Sequence, residues 1–374
     1  MIVKADARHI PLPDNTVQAI VTSPPYWGLR KYAGNQELVW SVRESKGIVR
    51  CNRGDHAWGE PGVRRNGRAW DPTIGESPVG RDYQGSTGSF CQLCGAWRGA
   101  FGLEPTIEMY VEHSVEILRE VRRVLRADGV CFWNIGDSYS NTTVGPRSGG
   151  TLDQWKNGGR REPAIIPDPG ITRNSGLKPK DLCLIPARVA LAAQADGWWV
   201  RSDIIWAKPN PMPESVRDRP TDAYEHILML TKSASYYWDG DAVREPHAEP
   251  WRGQGEKESD NPHAERTDTE EHVRCFVPAV RQYNPLGRNL RNVWTFATQP
   301  YKGAHFATFP VELVIRCLSA ASKPGDLVMD PFGGSGTVGE VAFNMQRRFV
   351  LCDLAYQELQ RERVPPMASL MQPV

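Results

Sequence analysis

Hydrophobic and polar positions fall into blocks along the chain that predict strands alternating with helices. Near the N-terminus, a short apolar run and a second one that ends at Ile20 and Val21 predict two strands joined by a loop. Within residues 105–129, apolar side chains recur every three or four positions, as on one face of a helix. Thr106 is the predicted N-cap of this helix and Gly129 its predicted stop, and residues 130–136 predict a buried strand.

The remainder of the chain repeats this alternation. The pattern predicts helices over 186–197, 310–322 and 335–345, strands over 198–209, 326–330 and 348–353, and a further apolar stretch over 225–233. Strands that alternate with helices are typical of an α/β fold. We therefore expect a doubly wound, mostly parallel sheet with helices on both faces.

Arginine clusters lie in the Gly-, Pro- and Asn-rich segments between these elements. Their positions are 63–68, 159–162, 216–219 and 287–292. Such runs are either solvated loops or a surface that follows phosphates. The net charge of +1 over 374 residues does not decide between the two.

The chain carries no sequence signal for a membrane or for export. No apolar run approaches the roughly 20 residues of a membrane span, and residues 1–13 lack the pattern of a signal peptide. We therefore expect a cytoplasmic protein, in a compartment where disulfides are rare. Five of its eight cysteines are predicted core residues among apolar neighbours, namely Cys131, Cys183, Cys275, Cys317 and Cys352.

Two motifs stand at predicted strand ends. The strand that contains Val21 runs directly into Ser23-Pro24-Pro25-Tyr26, although prolines cannot continue a central strand. In residues 327–342, a strand ends in Asp330 and a glycine-rich turn opens a helix, and the next strand ends in Asp353. This arrangement is typical of a nucleotide-binding unit, in which the second acid meets ribose hydroxyls. No lysine follows the glycines, so a nucleoside without a pyrophosphate fits better than the phosphates of a P-loop ligand.

The two motifs together, in this order, resemble the amino-directed DNA methyltransferases that use S-adenosylmethionine. The Ser-Pro-Pro-Tyr motif comes first and Asp-Pro-Phe-Gly-Gly-Ser-Gly-Thr (330–337) near the C-terminus, which is the order of the circularly permuted β class. The resemblance implies a doubly wound sheet of the methyltransferase type. It also implies double-stranded DNA as partner, a cytoplasmic protein of bacterial or phage origin, and a cognate restriction endonuclease as a candidate partner.

The resemblance also implies a role for each motif residue. Ser23 Oγ and the Pro24 carbonyl would accept the N–H bonds of the target amine, Pro25 completes the turn, and Tyr26 would stack on a base flipped out of the duplex. Trp27 is either a pocket wall or a second stacking partner. Near the adenine, the ribose and the methionine end, the cofactor would meet Asp6, Asp330, Pro331, Phe332, Gly334, Ser335, Gly336, Thr337, Asp353, His305, Phe309 and Pro310.

The substrate stays open between several classes. A serine in the first motif position favours cytosine N4 over adenine N6, by analogy with the family. A methyltransferase acting on RNA or on a protein amide is a further alternative, as is a DNA-binding protein that has lost catalysis. The recognition sequence and the oligomeric state are not readable from the chain.

The polar stretch 34–104 contains a candidate metal site. Cys51 and His56, followed by Cys91 and Cys94, form a Cys₃His set of the kind that binds structural zinc. The alternative is a pair of surface thiols with an incidental histidine. We expect zinc, because a Cys-x₂-Cys pair in the cytoplasm rarely forms a disulfide.

These assignments divide the chain into segments. Residues 1–33 and 105–234 form the catalytic half of the core, 34–104 a zinc-held insertion, 235–300 a target-recognition region, 301–360 the cofactor-binding half and 361–374 a tail.

Overall fold

The computed structural model describes eight stretches of the chain. They are residues 1–28, 36–41, 56–58, 89–91, 94–140, 177–247, 284–298 and 310–364. Among these residues, no helix is both long and apolar enough to cross a membrane.

Eight of the described strands form one large sheet. They are β1 (Ile2–Lys4), β2 (Val17–Thr22), β6 (Leu125–Ile135), β7 (Trp199–Ala207), β8 (Tyr224–Thr231), β9 (Val293–Thr295), β10 (Leu327–Asp330) and β11 (Arg348–Asp353). Their order across the sheet is β1-β11-β10-β2-β6-β8-β7-β9. Only β8 among them runs against the others, because it pairs antiparallel with both β6 and β7. The expectation of a mostly parallel sheet is therefore confirmed.

Helices cover both faces of the large sheet. They are α1 (Ile107–Val124), α2 (Ile185–Ala195), α3 (Val311–Ala321), α4 (Thr337–Asn344) and, after β11, α5 (Gln357–Arg363). Alternate residues of β2 point to opposite faces, as the pleat requires. Ile20 belongs to the apolar cluster that contains side chains of α1 and α2, whereas Ala19 and Val21 belong to the cluster that contains those of α3 and α4.

The boundary between α1 and β6 differs from the prediction. Thr106 caps the helix as expected, and its Oγ1 accepts the Met109 N–H at 3.2 Å. The helix ends at Val124, however, and Gly129 lies inside β6. Leu125 is fully buried and pairs with Val17 of β2, after which the register shifts. A Cβ on Gly129 would come within 2.9 Å of the Gln18 carbonyl, so this glycine permits a close approach of two strands.

A second, small sheet lies within the predicted insertion. It consists of β3 (Glu37–Trp40), β5 (Trp97–Ala100) and β4 (Ser89–Phe90), in that order, with both pairs antiparallel. Trp40 and Trp97 are each 1% exposed and join the same apolar cluster as α1. The small sheet is thus packed on the main core. Of the five cysteines predicted as core residues, Cys131, Cys183, Cys317 and Cys352 are buried, and Cys275 lies outside the described residues.

Candidate functional site

The Ser-Pro-Pro-Tyr turn lies at the carboxyl edge of the large sheet, between the glycine turn and β6. All six residues of β2 are buried, and the prolines that follow end its ladder because they lack an N–H. Thr22 Oγ1, at the last position of β2, donates to Asp330 Oδ1 at 2.7 Å. This buried bond ties the turn to the end of β10, so the two sequence motifs lie side by side.

A polar cluster surrounds the first and last residues of this turn. Tyr26 OH lies 3.2 Å from Ser23 Oγ and 2.5 Å from Glu225 Oε2. Asn134 Nδ2 donates to Tyr26 OH at 2.7 Å and to Glu225 Oε2 at 2.9 Å. Lys208 Nζ forms an ion pair with Glu225 Oε1. The turn therefore ends on a carboxylate whose two oxygens are both engaged.

The direction of these bonds determines what Ser23 can offer a ligand. Tyr26 OH donates its proton to Glu225 and accepts from Asn134, so it faces Ser23 as an acceptor. Ser23 accordingly donates its hydroxyl proton to Tyr26. One lone pair of Ser23 Oγ accepts from Asn134 Nδ2 at 3.4 Å, and the second can accept from an outside donor. The Tyr26 ring packs on Gly136, since a Cβ there would lie 2.8 Å from Cε2 of the ring.

The back of the turn is held by buried groups. Tyr110 OH of α1 donates to the Pro25 carbonyl at 2.9 Å. Trp27 is 2% exposed and donates through Nε1 to the Glu104 carbonyl at 2.9 Å, so it is a core residue and presents no free ring face. Burial raises the pKa of Glu104, whose carboxylate accepts from Gly102 N–H at 2.8 Å. These bonds fix the turn from the side opposite the polar cluster.

A cleft opens beside the turn and is lined by both sheets. Five residues predicted as site residues line it, namely Asp6, Pro25, Pro331, Phe332 and Asp353. The small sheet and the segment after it contribute Leu38, Trp40, Ala100, Phe101 and Leu103. The aromatic rings of Phe101 and Phe332 stack with their centroids 5.9 Å apart. The cleft is therefore largely apolar, with carboxylates at its edge.

The glycine turn holds the two acids of the predicted nucleotide unit. Gly334 has a φ of +44°, and its N–H donates to Asp353 Oδ2 at 2.9 Å. Burial raises the pKa of Asp353 and raises that of Asp330 from 3.8 to about 7. The bond from Thr22 and the Phe332 N–H act on Asp330 in the opposite direction. Of these two acids, Asp353 reaches the cleft, and Asp330 connects β10 to the Ser-Pro-Pro-Tyr turn.

Asp6 lines the cleft while bound to a neighbouring arginine. Arg8 Nε and Nη2 donate to its carboxylate, with an Nη2–Oδ2 distance of 2.6 Å. The Arg8 guanidinium lies 4.2 Å from the centroid of the Trp40 ring. This stack connects the loop after β1 to the small sheet.

Other predicted cofactor residues do not line the cleft. Arg363 Nη1 of α5 donates to Ser335 Oγ at 2.9 Å and to Thr337 Oγ1 at 3.0 Å. Gly336, with φ of +86°, precedes α4, and Pro310 precedes α3. These four residues support the turn and the starts of helices without lining the cleft. His305 and Phe309 lie outside the described residues.

Three of the four predicted metal ligands come together. The ligand atoms of His56, Cys91 and Cys94 lie within 4.8 Å of one another, and His56 Nδ1 is 3.5 Å from Cys94 Sγ. Both cysteines are buried, so they are not the surface thiols of the alternative interpretation. Cys51 lies outside the described residues.

Sequence reasoning missed the residues that bind the Ser-Pro-Pro-Tyr turn from other elements. Asn134 lies near the end of β6, Lys208 directly follows β7, and Glu225 is the second residue of β8. A lysine after one strand and a glutamate at the start of the next were the available signal. Tyr110 and Glu104 carried no signal of their own, because one continued a helical stripe and the other lay in a polar stretch.

Comparisons with known proteins identify the family. A family model described as DNA methylase matches residues 17–361. The type II methyltransferase M.Cfr9I of Citrobacter freundii is 36% identical over 358 residues, which cover 94% of this chain and 84% of that protein. M.SmaI of Serratia marcescens is 40% identical over 268 residues, covering 71% and 77%. The solved PvuII DNA methyltransferase, described as cytosine-N4-specific, shares the fold at a TM-score of 0.51 and 14% identity, with 98% and 86% coverage.

Proposed function

The chain belongs to the N6/N4 DNA methylase family, and on that premise we propose that it transfers a methyl group from S-adenosylmethionine to the N4 amine of a cytosine flipped out of duplex DNA. The observation that carries this proposal is the Ser-Pro-Pro-Tyr turn, with its serine oriented by the Tyr26–Glu225 bond and its second proline, Pro25, lining the cleft.

Ser23 and Pro24 act as acceptors for the target amine. An exocyclic amine of a base is a poor nucleophile because its lone pair is delocalised into the ring. Two acceptors that bind its N–H groups favour a pyramidal nitrogen with a localised lone pair. Ser23 Oγ can accept because its own proton is directed to Tyr26. The fixed φ of the prolines holds the Pro24 carbonyl in place.

Glu225 acts through Tyr26 and Asn134 as a positioning residue. Positive charge grows on the amine nitrogen during methyl transfer, and preorganised negative ends of dipoles stabilise such charge. A carboxylate that receives the Tyr26 hydroxyl proton polarises Tyr26 and, through it, Ser23. The ion pair with Lys208 holds this carboxylate in place.

The cleft fits S-adenosylmethionine. Its Pro331, Phe332 and Phe101 side chains offer an apolar enclosure for an adenine ring, and the Asp353 carboxylate stands at the end of β11, where a ribose is bound in related nucleotide units. The cofactor supplies an electrophilic methyl group on a sulfonium. Asp6 would hold the adenine end together with Arg8, and His305, Phe309 and Pro310 would lie near the methionine end.

Cytosine is proposed over adenine because of the serine at position 23, by analogy with the family. The PvuII enzyme is described as cytosine-N4-specific, and its likeness to this chain extends to the fold. Adenine N6 is the alternative for the same chemistry.

The finer organisation follows from the order of the motifs. We propose a circularly permuted methyltransferase core, formed by 1–33 with 105–234 and by 301–360, with a target-recognition region over 235–300 and a tail over 361–374. The relatives' names as type II methyltransferases support a role as the modification enzyme of a restriction-modification system, with a cognate endonuclease as partner.

We also propose that the insertion over 34–104 binds a structural zinc ion. Zinc–sulfur and zinc–nitrogen bonds of about 2.3 and 2.0 Å at a tetrahedral angle place the two ligand atoms roughly 3.5 Å apart. This agrees with the 3.5 Å between His56 Nδ1 and Cys94 Sγ. Cys91 supplies a third ligand, and Cys51 is the predicted fourth.

A nucleoside-resolved methylation assay tests the function. The protein is incubated with isotope-labelled S-adenosylmethionine and duplex DNA of mixed sequence, with RNA and protein substrates in parallel, and the labelled products are identified by mass spectrometry. We expect N4-methylcytosine, lost in Ser23→Ala and retained in the control Ser319→Ala on α3. Labelled N6-methyladenine would refute cytosine as the target base, and label confined to RNA or protein would refute DNA as the substrate. DNA binding without label in any substrate would indicate a catalytically silent protein.

A further inference from the structure

The small sheet is defined by β3, β4 and β5, and one of its ends carries the Cys/His cluster. The Cys91 N–H donates to the Ala96 carbonyl at 2.8 Å, and the Gly95 N–H donates to the Cys91 carbonyl at 2.9 Å. Trp58 pairs with Cys91 in an isolated bridge. Strand β5 begins at Trp97, three residues after Cys94. A metal ion bound by the cluster would therefore fix the start of β5.

The other end of the small sheet forms a wall of the cleft. Ala100, the last residue of β5, lines the cleft, and so does Phe101 directly after it. Antiparallel pairing places Leu38 opposite Gly99 and Trp40 opposite Trp97, so β3 brings Leu38 and Trp40 to the same wall. The four residues of β5 therefore connect the Cys/His cluster to the cleft.

This wall also reaches the acidic loop after β1. The Trp40 ring stacks on the His113 ring at 4.1 Å between centroids and lies against the Arg8 guanidinium. Arg8 in turn holds Asp6 by the ion pair described above. A shift of β3 would move the apolar wall and the partner of a cleft carboxylate together.

Strands of two to four residues do not form a stable sheet by themselves. The small sheet therefore depends on the cluster at one end and on the main core at the other. We propose that metal occupancy at His56, Cys91 and Cys94 sets the affinity of the cleft for S-adenosylmethionine, because the metal fixes the strand pair that forms one wall. This inference rests on the proposed function in that it takes S-adenosylmethionine as the ligand of the cleft.

The coupling free energy between two binding sites is reciprocal. A metal that strengthens cofactor binding must therefore itself be bound more tightly when the cofactor is present. Coupling between two sites is typically about 5- to 150-fold. We therefore expect removal of zinc to raise the Kd for S-adenosylmethionine by about fivefold or more. Saturating cofactor should raise the zinc affinity by the same factor.

The test measures zinc content by a colorimetric chelator and cofactor Kd by calorimetry on the full chain. The wild type is measured before chelation, after chelation and after zinc is restored. The variants are Cys94→Ala, Leu38→Ala and the control Cys317→Ala, which changes a buried thiol of α3 on the opposite face of the large sheet. We expect Cys94→Ala to lose both zinc and affinity, Leu38→Ala to lose affinity alone, and the control to lose neither.

Each result has one interpretation. Reversible loss of affinity on chelation supports the coupling, and it does not depend on whether Cys94→Ala folds. Loss of zinc at unchanged cofactor Kd would overturn the inference while leaving the proposed methyl transfer intact. A wild type that binds no zinc would overturn both the inference and the proposed structural zinc site, again leaving the proposed methyl transfer intact. A zinc-loaded wild type that binds no S-adenosylmethionine would instead overturn the proposed function.

Discussion

Gly102 provides a test of whether the segment after β5 holds the Ser-Pro-Pro-Tyr turn in place. It has a φ of +87°, and a Cβ on it would lie 2.9 Å from Pro25 Cβ and 3.1 Å from the Tyr26 carbonyl oxygen. Gly325 has nearly the same φ, +85°, but a Cβ there would meet nothing within 4 Å. The substitutions Gly102→Ala and Gly325→Ala therefore share a backbone cost and differ only in what the new methyl group touches.

The two costs can be separated. An alanine in the left-handed region costs about 1–2 kcal/mol of stability, so Gly325→Ala should lower the free energy of unfolding by about that amount and leave catalysis unchanged. Overpacking against fixed atoms costs a further ~1–3 kcal/mol. Gly102→Ala should therefore lower the free energy of unfolding by roughly 2–5 kcal/mol. Relief of the overlap requires the turn to move by several tenths of an ångström.

The assay combines urea unfolding with the single-turnover rate of methyl transfer at saturating cofactor. Displacement of a catalytic group by about 1 Å can cost about 100-fold in rate, so we expect a loss of roughly 10- to 100-fold for Gly102→Ala. Equal losses of stability in the two variants, with equal methylation rates, would refute the reasoning. It would mean that the turn does not depend on this contact.

Three further substitutions test other contacts of the site. Glu225→Gln keeps a hydrogen-bond acceptor but removes the charge. Because bonds to charged groups contribute about 1 kcal/mol more than neutral ones, single-turnover methylation should slow about fivefold with the cofactor Kd unchanged. The control Glu312→Gln, in an exposed pair with Arg316, should have no effect. Asp330→Asn tests the buried acid, whose pKa is raised from 3.8 to about 7 by burial. The wild type therefore loses stability as pH rises from about 4 to about 7, and the Tm of the variant relative to wild type should increase across that window. A Tm difference independent of pH would contradict this. Tyr110→Phe removes the donor to the Pro25 carbonyl and should cost about 0.5–1.5 kcal/mol in urea unfolding; an unchanged midpoint would show that the bond does not hold the turn.

The local parts of the site were predictable from the sequence. Ser23 to Tyr26 follow a largely apolar strand, and Asp330 and Asp353 each end one. Strand ends and glycines therefore sufficed to place these residues. The family model confirms the resemblance that these motifs carry. The predicted end of α1 at Gly129 was wrong, because Leu125 is buried beside Val17 in the sheet. This tertiary contact overrides the local stop signal of the glycine.

The contacts that complete the site depend on strands brought together from distant parts of the chain. Glu225 reaches Tyr26 because β8 inserts between β6 and β7 with reversed direction, and its first residues thereby lie at the edge where the parallel strands end. No periodicity encodes that insertion. A sequence search for acids near motif strands would find Glu225 only after the sheet order is known.

The small sheet makes the same point for the cofactor cleft. Trp40 and Trp97 are opposite each other in β3 and β5, although a long polar stretch separates them in the sequence. A polar stretch of this composition predicts an appendage, because it shows no amphipathic period of its own. Its few tryptophans are nevertheless sufficient to anchor it, since each aromatic side chain buries a large area and Trp40 lies between His113 and Arg8. Sparse aromatic residues in a polar insertion therefore indicate where it attaches to the core, and here that attachment lies on the wall of the proposed cofactor cleft.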